Sequence, residues 1–160
     1  SFLALWVIGY GVVQALAPTL IGRSSGGRAP GGGAALALAF VLAGTTALIP
    51  LALHAGLPPA PVVLIGLGLF GVVFAINSAV HSYLILSYAD GDKVAMNVGF
   101  YYMANAGGRL AGTVLSGLLY QWQGLEACLW ASVVLVLSAG LLSLMLPASE
   151  RLAAGVPALR

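Results

Sequence analysis

"LLYQWQGLEACLW", residues 118–130, decides how many times this chain crosses a membrane. Apolar sequence of span length flanks it on both sides, and its centre, "QWQGLE" (121–126), is short and polar. A membrane-crossing helix needs roughly 20 predominantly apolar residues to traverse about 30 Å of hydrocarbon. Read as a break, the stretch closes one span near residue 120 and opens another near 126.

Working outward, the same rule marks three further spans. The expected set is 2–21, 34–53, 60–88, 94–120 and 126–146. "GRSSGGRAPGGG" (22–33) is a polar, glycine-rich loop, "HAGLPPAP" (54–61) a proline-rich turn, and "ADGDK" (89–93) a charged one. The fold class is therefore all-α integral membrane with five transmembrane helices. Residues 1–146 form one bundle and 147–160 a cytoplasmic tail. The chain opens at Ser1 directly on apolar sequence, with no n-region or cleavage site of a signal peptide. It is expected to be a fragment that begins at or inside a span.

The composition supports this class. Hydrophobic residues make up 61% of the chain and charged residues 6%, against about 25% charged in an ordinary soluble domain. Its first partner is the lipid bilayer. A net charge of +2 from six Lys/Arg and four Asp/Glu leaves no basic footprint for nucleic acid. The single Cys128 excludes an internal disulfide or a thiolate metal cluster, and no cofactor is implied. No nucleophile–base pair or clustered metal ligands stand out, so the chain is not expected to be an enzyme.

Positive charges outside the spans give the orientation. Arg23 and Arg28 lie in the first loop, Lys93 in the third, and Arg151 and Arg160 in the tail; the second and fourth loops contain none. That side is expected to be the cytoplasm, in a multi-pass protein of the inner (plasma) membrane, with the N-terminus outside. Trp122 fits an interfacial anchor at the outer end of the fourth span.

Polar side chains then distinguish the helices. Asn97, Tyr101, Asn105 and Arg109 recur every four residues and share one helical stripe. Beside it, Gly108, Gly112 and Ser116 form a small-xxx-small face suited to close helix packing. Arg109 lies about 18 Å along the helix from Asn97 and about 20 Å from Trp122, at 1.5 Å per residue. It does not readily reach either membrane surface. A guanidinium cannot shed its proton, and an intramembrane charge normally faces a water-filled cavity or a partner. Either Arg109 pairs with an acid from outside this chain, or it grips an anionic small-molecule substrate. Its planar fork of donors suits phosphate-like or carboxylate oxygens.

Asn77, Ser78, His81 and Tyr88 share a broad face of the third span. His81 is either a hydrogen-bonded structural histidine or a group whose charge switches during transport. Trp6, Tyr10 and Gln14 lie on one stripe of the first span, facing either a neighbouring helix or a cavity. The second and fifth spans offer little beyond Thr45, Thr46 and scattered serines, and read as lipid-facing supports. The candidate substrate-binding residues are thus Arg109, Asn105, Tyr101, Asn77, His81, Gln14 and Tyr10.

The order of spans resembles helices eight to twelve of a major facilitator superfamily transporter, whose eighth, tenth and eleventh helices border the central cavity. A closer resemblance covers "INSAVHSYLILSYADGDKVAMNVGFYYMANAGGRLAGTVLSGLLYQWQGLEACLW" (76–130), with "DGDKVAMNVGFYYMANAGGRLAG" (90–112) as its core, and extends loosely to "GYGVVQALAP" (9–18). This stretch looks like the organoarsenical efflux permeases of that superfamily. The resemblance implies a partial C-terminal bundle that works with a missing N-terminal half of the same transporter. It also implies export of 1-arseno-3-phosphoglycerate, the ester formed when glyceraldehyde-3-phosphate dehydrogenase uses arsenate in place of phosphate. That dehydrogenase becomes a functional partner that supplies the cargo. Both ends of the cargo are anionic, which suits Arg109, whereas neutral, thiophilic arsenite finds only one thiol here. The alternatives are a major facilitator exporter of another organic anion or drug, and a noncatalytic five-span membrane assembly subunit.

Overall fold

The computed structural model describes residues 2–24, 30–88 and 94–145. Its elements are α1 (Phe2–Ser24), α2 (Gly32–His54), α3 (Pro59–Tyr88) and α4 (Val94–Leu142), followed by a 3-10 turn at Ser143–Met145. All four α-helices are long and apolar enough to cross a membrane. Helix is the expected form because a bilayer core has no water to satisfy exposed backbone groups, and a helix bonds them internally.

The count corrects the expectation of five spans. The predicted spans 94–120 and 126–146 meet in one 49-residue element, Val94–Leu142, in which two helices join across a kink where Gly124 alone leaves helical geometry, at φ 77° and ψ −164°. The break at 121–126 is polar in composition, yet Gln, Trp, Leu and Glu all accept helical backbone, and the departure is confined to Gly124. A straight helix of that length would measure about 74 Å, over twice the hydrocarbon thickness. It is not straight. Twelve residues of straight helix would separate Ser116 from Cys128 by about 18 Å, but the Cys128 thiol donates to the Ser116 carbonyl at 3.3 Å. The chain folds back at Gly124, giving α4 two arms, 94–123 and 125–142.

The α2–α3 connection is closed by local chemistry. Gly56 sits at φ 79°, a conformation that a side chain disfavours. Its N–H donates to Leu53 O at 3.0 Å while Leu57 N–H donates to Ala52 O at 3.2 Å. These two bonds form a Schellman cap on α2. Pro58 follows, and Pro59 opens α3 where a missing N–H costs nothing.

Packing proceeds from neighbour to neighbour: α1 on α3, α3 on α2, and α2 on α4. Trp6 meets Gly71 and Gln14 meets Ser78, so α1 and α3 run parallel. Ile49 lies against Gly66, while Ala35 packs with Val80 and Leu84, so α2 and α3 are antiparallel. On the other side of α2, Ala39 lies against Gly140 and His54 against Glu126. The 125–142 arm is therefore antiparallel to α2. The His54–Glu126 contact also places the second and fourth breaks at one end of the bundle, as their shared lack of positive charge anticipated. Among the cations used for orientation, Arg28, Lys93, Arg151 and Arg160 lie outside the described residues, as do the side chain of Arg23 and the tail from 147 onward.

Candidate functional site

The polar residues singled out in the sequence separate into two groups. The first lies between α1 and α3. Trp6 donates its indole N–H to Leu67 O at 2.7 Å, across a contact so close that a Cβ on Gly71 would stand 2.8 Å from that nitrogen. Tyr10 is stacked on Trp6 at 5.9 Å and tilted against Phe74 at 5.8 Å. Gln14 donates to the Ser78 hydroxyl at 3.5 Å, a long bond by ordinary criteria. The stripe on α1 thus faces a neighbouring helix.

One turn further along α3, His81 Nδ1 lies 2.9 Å from the Asn77 main-chain oxygen. That bond fixes the ring against its own helix and requires Nδ1 to carry the proton. The Asn77 side-chain oxygen is buried with no hydrogen-bond partner among the described residues. A buried unpaired carbonyl costs about 1–3 kcal/mol, which makes Asn77 the least satisfied polar residue of this group. The side chain of Tyr88 is outside the described part.

The second group lies on the 94–123 arm. Asn97 and Tyr101 are half-buried, whereas Asn105 and Arg109 are exposed, together with every residue from 102 to 118. Tyr101 makes an edge contact with Tyr102 at 5.4 Å, and Thr113 caps the Arg109 carbonyl at 2.8 Å. A Cβ built on Gly107, Gly108, Gly112 or Gly117 would meet nothing within 4 Å. The small-residue face is uncovered, and so is the charge beside it. Among the described residues the one ion pair is His54–Glu126, so the guanidinium of Arg109 has no carboxylate partner there. Among the described residues no hydrogen bond, ion pair or ring contact joins Arg109, Asn105 or Tyr101 to Tyr10, Gln14, Asn77 or His81.

A third cluster was not anticipated. At the end of the bundle, His54 Nδ1 stands 3.5 Å from Glu126 Oε1, with side chains 84% and 48% exposed. A cavity of about 580 Å³ beside them is lined by Pro50, Leu51, Leu119, Gln123, Ala127 and Trp130 as well as the pair itself. The signal was the shared side of the second and fourth breaks, but a shared side does not pair residues. A second, apolar cavity of about 350 Å³ lies between α2 and α3, around Ile49, Pro61, Ile65 and Leu69. Thr45 borders it but spends its hydroxyl on Leu42 O at 2.9 Å, so it offers little polar chemistry.

Four helices long and apolar enough to cross a membrane point to a multi-pass helical membrane protein, whose described residues include a polar seam between α1 and α3 and an exposed arginine stripe. Compared with known families, curated proteins and solved structures, the chain matches none.

Proposed function

We propose that this chain is the C-terminal part of a secondary-transport efflux permease. The arms 94–123 and 125–142 each cross the bilayer, giving five crossings that resemble helices eight to twelve of the major facilitator fold. The exported cargo is an anionic organoarsenical, 1-arseno-3-phosphoglycerate, and alternating access at the midplane between this bundle and the missing half moves it. Export of that ester confers arsenate resistance.

A single observation carries the reading: Arg109 stands mid-helix, exposed and without a carboxylate partner among the described residues. A charge in that position needs a ligand or partner from outside the chain. Asn105 and Tyr101, one and two turns away on the same stripe, add amide and hydroxyl groups for the remaining oxygens. Two ionised ester groups and a fixed guanidinium are complementary in charge and in donor geometry.

The test uses the full-length protein in everted membrane vesicles, supplied with arsenate, glyceraldehyde-3-phosphate, its dehydrogenase and nicotinamide cofactor. Dehydrogenase-dependent arsenic accumulation is expected in wild type and lost in normally inserted Arg109→Ala. No dehydrogenase-dependent accumulation in wild type would sink the organoarsenical assignment. Accumulation that survives Arg109→Ala would reduce Arg109 to a structural charge. That outcome favours the ion-pair reading, for which the uncovered face of the arm supplies room for an acid-bearing helix.

A further inference from the structure

The two arms of α4 differ in how they are held, and the difference centres on one residue. The 125–142 arm is fixed to α2 along its length: Glu126 reaches His54, Val133 is buried, and Gly140 approaches Ala39 so closely that a Cβ would stand 2.9 Å from the Ala39 methyl. Ser143, just beyond, is also buried. The 94–123 arm has no comparable seat. Residues 102–118 are exposed, and the open space at its glycines shows that no described neighbour grips that face.

Between the arms stands Gly124, whose φ of 77° and ψ of −164° fall in a region open essentially to glycine alone. Among the described residues, the side-chain bonds at the bend are weak. The Cys128 thiol donates to Ser116 O at 3.3 Å and to Gly124 O at 3.5 Å, and a thiol is a poor donor. Hinges are element-terminal or loop residues that absorb backbone rotation while rigid bodies move about them.

We propose that Gly124 is a joint about which the 94–123 arm swings as a rigid rod, while α1, α2, α3 and the 125–142 arm form the stationary body. The rod carries Asn97, Tyr101, Asn105 and Arg109 as a unit, so rotation at one residue moves the whole arginine stripe. Arg109 stands 15 residues from the joint, a lever of about 22 Å. A rotation of a few degrees therefore shifts the guanidinium by an ångström or more. The proposal stands without the transport reading, since the motion exists whether or not cargo is present.

Spin-label distance measurements on the full-length protein in lipid nanodiscs test it without any transport assay. In a Cys128→Ser background, Leu110→Cys with Leu135→Cys spans the joint, and Phe40→Cys with Leu135→Cys lies within the body. All three positions are exposed and accept labels. The expected result is a broad or two-peaked distribution across the joint beside a narrow one within the body. Adding Gly124→Ala is expected to narrow or shift the first and leave the second unchanged. A distribution across the joint as narrow as that of the body overturns the proposal, and this comparison needs no substitution at Gly124. A broad distribution that a folded Gly124→Ala leaves untouched also overturns it, because the mobility then resides elsewhere.

Discussion

The 125–142 arm and the 94–123 arm are consecutive in the chain and meet at Gly124, yet they solve opposite problems. The first is almost wholly apolar, buries Val133 and sets Gly140 against α2. The second carries Asn97, Asn105 and Arg109 and is exposed through most of its length. In water the apolar arm would be the one driven inward. Lipid is as apolar as leucine, so packing there follows close approach of small residues and satisfaction of polar groups. Gly140 meets Ala39 because neither has a long side chain. Arg109 stays apart because the described bundle offers it no carboxylate. Hydrophobicity makes α4 apolar enough for a bilayer; it does not say which of its arms the bundle holds.

Arg109→Leu strikes this contrast hardest. If the arm stands without a partner inside the chain, the exchange makes its insertion more favourable by roughly 3–4 kcal/mol, the spread between arginine and leucine at a helix centre. A translocon insertion assay on the 94–123 segment and thermal unfolding of the whole protein read it together. Easier insertion with unchanged unfolding supports the contrast, while a lowered melting temperature reveals an ion pair with an acid from elsewhere in the protein.

A matched pair of glycine substitutions sharpens it further. Gly140→Val forces a branched side chain into the Ala39 contact and is expected to destabilise by about 1–3 kcal/mol, the usual cost of overpacking. Gly112→Val meets open space and is expected to stay within about 0.5 kcal/mol, as surface substitutions do. Equal losses at the two sites would show that the first arm is packed after all. A similarly small effect belongs to the end of the bundle. Glu126→Gln removes an exposed pair whose value is about 0–1 kcal/mol and falls with salt, so chemical denaturation in low and high salt should differ little between variant and parent.

Element positions were readable to within a few residues. The expected spans 2–21, 34–53 and 60–88 correspond to Phe2–Ser24, Gly32–His54 and Pro59–Tyr88, because apolar length and the Gly/Pro punctuation at 54–61 act locally. The fourth break fell where the chain bends, since Gly124 lies within "QWQGLE", but it did not yield a fifth element because the departure from helix is confined to that one residue. Site residues were readable as stripes but not as neighbours. Periodicity aligned Asn97, Tyr101, Asn105 and Arg109 on one face. It had no means of showing that Gln14 would meet Ser78, that the Asn77 oxygen would find no partner among the described residues, or that His54 would stand beside Glu126.

Composition and periodicity by themselves determined that this chain is a bundle of membrane-crossing helices, and that one helix carries an arginine far from either end. Those properties depend on transfer between water and lipid and on the pitch of a helix, and both are local to a segment. Only the tertiary structure decided that the last two apolar runs are joined through a single glycine, that one is seated on α2 and the other is not, and that the polar groups fall into a seam and a separate stripe. These depend on which surfaces approach closely enough to exclude a methyl group, and that is a property of pairs of helices.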